Sequence, residues 1–131
     1  MLFVCLAGVM ATTEGKTEDG FETQFGVNHI GHFLLFQLLK PALLASSSPE
    51  FNSRVVSLSS SNHRFSGVHL DDLDLKKAIY DPWVSYGQSK TANVSFCFFC
   101  SHLHQPCMLF ASRPAGLDWS HIDSCAMLQV L

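Results

Sequence analysis

At 131 residues the chain has room for one small domain and too little for two well-formed ones. Hydrophobic residues make up 47% and charged residues 15%, which gives enough apolar surface for a sizeable core. A net charge of −3, with no long run of either sign, excludes the clustered basic face that nucleic-acid binding needs. The five cysteines (Cys5, Cys97, Cys100, Cys107, Cys125) are an odd set, four of them in the last third. That usage fits reduced intracellular thiols better than an oxidised secreted scaffold, so a cytoplasmic location is expected. The apolar opening from Met1 to Ala11 lacks a basic leader and reads as a buried strand rather than a secretory signal. A membrane span is not expected either. No stretch reaches the ~18 uninterrupted apolar residues of a membrane helix, and the run from Val94 to Ala111 is broken by His102, His104, Gln105 and Pro106.

In chain order, Leu2-Phe3-Val4-Cys5-Leu6 predicts a strand buried on both faces, as in a parallel sheet covered by helices. Thr17, followed by Glu18 and Asp19, has the residue types of a helix start. From Phe21 to about Ala45 apolar residues recur every three or four positions (Val27, Ile30, Leu34, Leu38), predicting a helix with a kink or break at Pro41. Ser46-Ser47-Ser48-Pro49 stops it, and Arg54 to Leu58 predicts a second strand running into Ser59-Ser60-Ser61. Residues 62–85 read as irregular, with a short helix near Asp72 to Ile79. Ser85 then serves as N-cap of a helix from Tyr86 towards Phe98. Strand, helix, strand, helix is the pattern of an α/β parallel sheet.

Tyr86 and Lys90 stand four apart, which puts a phenol and an ammonium on one helix face. A cation beside a phenol stabilises its phenolate form, a use in general acid/base work. Taken alone, this spacing also arises as two unrelated residues on a solvated helix. Ser60 lies just past a predicted buried strand, where open α/β sheets bind ligands. Asn28 puts an amide inside an apolar helix, which costs free energy unless it is hydrogen-bonded. In the tail, Cys97, Cys100, His102, His104 and Cys107 are zinc-ligand types. All five fall within eleven residues, without two separated ligand pairs, so a cysteine-rich apolar segment is the better reading and no metal site is expected.

Ala7-Gly8-Val9-Met10, Val27-Asn28-His29-Ile30-Gly31-His32-Phe33, Val55-Val56-Ser57-Leu58-Ser59-Ser60 and Tyr86-Gly87-Gln88-Ser89-Lys90 occur in the order and spacing of short-chain dehydrogenases/reductases. The chain resembles the retinol-dehydrogenase-like and WW-domain-oxidoreductase-like branch of that family. Thr17 to Glu22, His63-Arg64-Phe65 and Lys90-Thr91-Ala92-Asn93 add to the likeness, which covers about residues 2–95. The resemblance implies an NAD- or NADP-dependent interconversion of an alcohol with a ketone or aldehyde. Tyr86 would exchange the proton, Lys90 would hold the nicotinamide ribose, and Ser60 would bind the reacting carbonyl. Asn28 would anchor a relay water, and the Ala7-Gly8 turn would pass close to the adenosine side of the cofactor.

The chain departs from the family in three places. No G-x-x-x-G-x-G segment is found in it, so the cofactor site is expected to be incomplete and the sheet to lack its first βαβ unit. Cys5-Leu6-Ala7-Gly8 stands where the family has Asn-Asn-Ala-Gly, and after Val94 the text turns Phe- and Cys-rich. Both ends read as truncation or altered splicing. The expected architecture is a partial Rossmann-like, doubly wound parallel sheet, with residues 1–95 as the central and catalytic part and 96–131 as a divergent tail. Two functions are open at this point. One is an oxidoreductase acting on a small alcohol or carbonyl, impaired by truncation. The other is a catalytically inactive fragment or pseudoenzyme that associates with a second copy or a full-length relative.

Overall fold

A computed structural model describes residues 1–77, 79–102 and 107–112. Three strands, β1 (Leu2–Cys5), β2 (Arg54–Ser60) and β3 (Cys107–Ser112), form a parallel sheet in the order β1-β2-β3. Leu2 lies opposite Arg54 and Cys5 opposite Ser57, while Val55 pairs with Cys107 and Ser60 with Ser112. The first crossover carries a helix in three parts: α1 (Thr23–Phe25), a π-helical turn (Gly26–Ile30) and α2 (Gly31–Ala45). The second contains a 3₁₀ turn (Ser61–Arg64) and then α3 (Pro82–His102). This is the partial Rossmann-like fold expected from the sequence.

The core lies between one sheet face and both helices. Phe36 and Leu43 of α2 meet Val55 of β2 and Phe96, Cys97 and Cys100 of α3, with Phe3, Leu39 and Val94 packed against them. Phe96 takes Phe33 and Phe36 edge-on at 5.8 and 5.1 Å, the arrangement aromatic quadrupoles favour. Each such side chain, fully buried, contributes roughly 1.5–3 kcal/mol. Right-handed crossovers between consecutive neighbouring strands put both helices on the same side. Hence β1 is buried on one face only, not on both as predicted. Cys5 is covered, whereas Leu2, Val4 and Leu6 on the alternate face are 61%, 45% and 67% exposed.

Several predicted boundaries move. Thr17 does not start the helix; it closes a loop in which Phe21 N donates to Thr17 Oγ1 at 3.2 Å and Gly20 adopts a φ of +86°. The cap is Glu22, whose carboxylate accepts from Gln24 N at 3.0 Å and Phe25 N at 2.7 Å. The helix runs through Pro41 unbroken, and its irregularity is the π turn fifteen residues earlier. The carbonyl freed by Pro41 belongs to Gln37, which is exposed and open to water. Strand β2 extends two residues further than predicted, to Ser60. Ser85 is not a cap but a buried residue inside α3. Asp81 Oδ1 accepts from Trp83 N and Val84 N at 2.7 and 3.1 Å, with Pro82 in the first helical position, where its missing N–H costs nothing.

No helix forms among the described residues between Asp72 and Ile79. There the Asp72 carboxylate takes the N–H groups of Lys76 and Lys77, both at 2.9 Å, and Leu75 sits at a φ of +52°. A helix and such a side-chain turn compete for the same backbone donors. Helix α3 runs on to His102, and β3 lies within the segment whose sequence reads as a divergent tail. No helix among the described residues is long and apolar enough to cross a membrane.

Candidate active site

Three elements bring Gly8, Asn28, Tyr86 and Lys90 to one place: the turn after β1, the π turn before α2, and the first half of α3. Tyr86 and Lys90 are both buried on α3, and the Lys90 ammonium lies 5.5 Å from the centroid of the Tyr86 ring. The four-residue spacing therefore does bring them together, within cation–π reach. Trp83 supports the Tyr86 ring edge-on at 6.5 Å. Among the described residues, Lys90 Nζ spends one of its three N–H donors on the Leu58 carbonyl at 3.3 Å. Burial pushes the Lys90 ammonium below its ordinary pKa.

Asn28 is fully buried in the π turn and uses its whole side chain. Oδ1 accepts from Val9 N at 2.8 Å, while Nδ2 donates to Val9 O at 2.9 Å and to Ser89 Oγ at 3.0 Å. The costly buried amide is thus satisfied in full, and it fastens the turn after β1 to α3. Gly8 completes the contact. A Cβ there would stand 2.9 Å from Asn28 Oδ1 and 3.8 Å from Lys90 Nζ, so only a bare backbone fits. Ala7, beside it, is exposed.

Ser59 and Ser60 separate in role. Ser59 Oγ donates to Lys90 O at 2.8 Å, which ties β2 to α3. Ser60 ends β2, and its Oγ accepts from Asn62 N at 3.3 Å to cap the 3₁₀ turn. That turn crosses α3 closely: a Cβ on Gly87 would meet Asn62 O at 2.9 Å. The end of β2 is so held beside the turn of α3 that bears Tyr86.

The sequence reading missed several polar residues of the site. Gln88, fully buried, accepts from His69 N at 2.9 Å and donates to Leu73 O at 3.0 Å, folding the 69–73 loop onto α3. Asn93 donates to Asn28 O at 3.1 Å and to Leu58 O at 2.9 Å. The available signal was Ser89 and Asn93 at helical spacing on a segment flanked by apolar residues, which marks a polar seam in a buried helix. Cys97 and Cys100 lie in the core of α3, and the side chains of His102, His104 and Cys107 fall outside the described residues. Cys5 is buried, and burial pushes its thiol up to about 11, far from the range of a reactive thiolate.

No family profile matches the chain. Over 86 residues, 66% of this chain, it is 55% identical to a short-chain dehydrogenase/reductase of Penicillium roqueforti. The chain belongs to the short-chain dehydrogenase/reductase family. It is also 45% identical over 97 residues to human polyprenol dehydrogenase, and 48% identical over 90 residues to human retinol dehydrogenase 13. The chain spans 25% to 29% of the length of these relatives. A solved structure of an uncharacterised protein from Mycobacterium paratuberculosis superposes with a TM-score of 0.67 at 34% identity, covering 92% of this chain and 42% of that one. The retinol-dehydrogenase-like resemblance and the oxidoreductase class rest on these likenesses.

Proposed function

We propose that the chain carries the reacting centre of an NAD(P)-dependent short-chain dehydrogenase/reductase that interconverts an alcohol with a ketone or aldehyde. The observation that carries this reading is the Lys90 ammonium held 5.5 Å from the Tyr86 ring, beside a backbone at Gly8 where no side chain fits. Tyr86 is the acid/base, giving a proton to the developing alkoxide or taking one from the alcohol. Lys90, charged and largely desolvated, stabilises the phenolate form of Tyr86 and offers its remaining N–H donors to hydroxyl groups of the cofactor. Ser60, at the carboxyl end of a parallel strand, hydrogen-bonds the substrate oxygen. Asn28 holds the turn at Ala7 and Gly8 against Lys90 and so shapes the edge the cofactor would pass.

A nicotinamide, when bound, would supply the hydride chemistry. Gly8 and Lys90 fit such a group: one leaves room for close approach and the other donates. The pyrophosphate lacks a comparable grip, because no glycine-rich helix start occurs among the 131 residues. Cofactor binding by this chain is accordingly weak and turnover impaired. Its substrate is a small molecule with an alcohol or carbonyl group. The buried free thiol of Cys5 and the odd number of cysteines support a reducing, cytoplasmic setting.

A second reading is favoured by the exposed sheet face of Leu2, Val4 and Leu6. In it the chain is an inactive fragment that associates through apolar surface with a copy or a full-length relative. Reduction of a panel of aldehydes and ketones at millimolar cofactor separates the two. Tyr86→Phe is expected to lower turnover ~10²–10⁴-fold, the ordinary worth of a positioned acid/base. Equal rates for the unmutated chain and Tyr86→Phe would overturn the catalytic reading.

A further inference from the structure

We propose that Asn93 is a positioning residue for the Tyr86–Lys90 pair, its amide locked in one orientation by His29 in the Nδ1–H tautomer. The inference rests on the catalytic reading of Tyr86 and Lys90 given above. Its starting point is the chemistry of the partners around Asn93, which is almost completely buried. One end of the amide faces two main-chain carbonyls, Asn28 O at 3.1 Å and Leu58 O at 2.9 Å. Carbonyl oxygens only accept, so that end is the NH₂ group and both of its hydrogens are in use. A flipped amide would set Oδ1 against two oxygens, losing two bonds and adding two repulsive contacts.

The other end, Oδ1, therefore meets His29 Nδ1, 2.9 Å away. An oxygen acceptor requires the hydrogen on Nδ1, which fixes the tautomer of His29 without reference to any assigned proton. The ring has little freedom to turn away, lying 5.3 Å from the Phe25 ring and 6.2 Å from the Phe33 ring. It also lines an apolar groove of ≈ 640 Å³ with Ile30, Leu73 and Phe96, a setting that disfavours the cation. Burial accordingly lowers the His29 pKa, against the opposing pull of the Asn93 bond.

This brace ends at the active pair. Leu58 O accepts from Asn93 Nδ2 and also from Lys90 Nζ, so a single carbonyl fixes both side chains. Asn28 O, the second carbonyl, belongs to the residue that holds the Gly8 turn. Asn93 thus sets three elements, the π turn, β2 and α3, at the spacing where Lys90 lies over Tyr86. It need touch neither substrate nor cofactor to do so.

Nuclear magnetic resonance on the full 131-residue chain tests this without any turnover, so its failure is distinct from failure of the catalytic reading. Long-range ¹H–¹⁵N correlation at neutral pH is expected to show His29 protonated at Nδ1 and bare at Nε2. A His29 carrying its hydrogen on Nε2 overturns the proposal. In Asn93→Ala the cross-peak between the Lys90 ε-methylene and the Tyr86 ring is expected to fall by more than half. His29→Asn, which keeps a donor near the Asn93 oxygen, should retain it. A folded Asn93→Ala with the cross-peak unchanged also overturns the proposal. If Asn93→Ala does not fold, the tautomer in the unmutated chain and the His29→Asn cross-peak decide.

Discussion

Gly8 and Asn28 meet so closely that a Cβ on residue 8 would stand 2.9 Å from the Asn28 amide oxygen. That oxygen cannot retreat without giving up its 2.8 Å bond from Val9 N, so the contact has no soft side. Gly8→Ala is expected to cost about 1–3 kcal/mol, as overpacking of a well-filled site does. Urea denaturation reads the loss directly. A variant as stable as the parent would mean the turn after β1 is looser than described.

Asn28 tests the same contact from the other side. Asn28→Ala strands Val9 N, Val9 O and one partner of Ser89 Oγ, each an interaction worth roughly 1–3 kcal/mol when a buried group is left unpaired. Some of these groups reach water after truncation, so a loss of about 3 kcal/mol is expected. The amides of residues 7–9 should also exchange with solvent faster. Unchanged exchange there would show that the turn is held by something other than Asn28.

Acid should weaken the fold earlier than carboxylate titration alone would. Burial lowers the pKa of both His29 and His32 from 6.5, and the nearby Lys90 charge adds to the lowering at His32. A folded state that resists protonation is at full stability above pH 6.5. It loses stability as the pH falls below that value, because the unfolded chain takes up protons the folded chain refuses. The unfolding free energy is therefore expected to be level above neutrality and to decline between the unfolded value and the lower folded ones. Asp74, pushed down to about 2 by hydrogen bonds from Lys16 and then Lys76, adds a smaller loss below 3.8, screened because the pair is exposed. A stability curve flat from pH 7.5 to 5.0 would contradict the role given to the histidines.

Strands β1 and β2 and the Tyr86–Lys90 pair were legible in the sequence because both rest on local signals, a short apolar run for a strand and a spacing of four for a helix face, whereas β3 lies in the segment read as a divergent tail. Features that depend on reach or on distant partners were not. Glu22 caps a helix although its residue type is not a usual cap, because its long side chain bends back to Gln24 N and Phe25 N. Ser85 looked like a cap, but Asp81 followed by Pro82 carried the stronger physics one turn earlier. The π turn at Gly26–Ile30 leaves the apolar period almost unchanged, so periodicity could not find it. The one-sided burial of β1 follows from topology, which the composition of Leu2 to Leu6 does not encode. Asn93 read as one more residue of a family motif until its three partners were seen together.

The central claim is that the 131 residues hold the reacting centre of a dehydrogenase without the grip on its cofactor's phosphates. Titration of the chain with NADH, NADPH and nicotinamide mononucleotide tests it most directly. All three are expected to bind alike, with dissociation constants of about 1 mM or weaker, worth no more than ~4 kcal/mol. Micromolar binding of either dinucleotide, well ahead of the mononucleotide, would contradict it, since a phosphate and adenosine site would then lie within this chain.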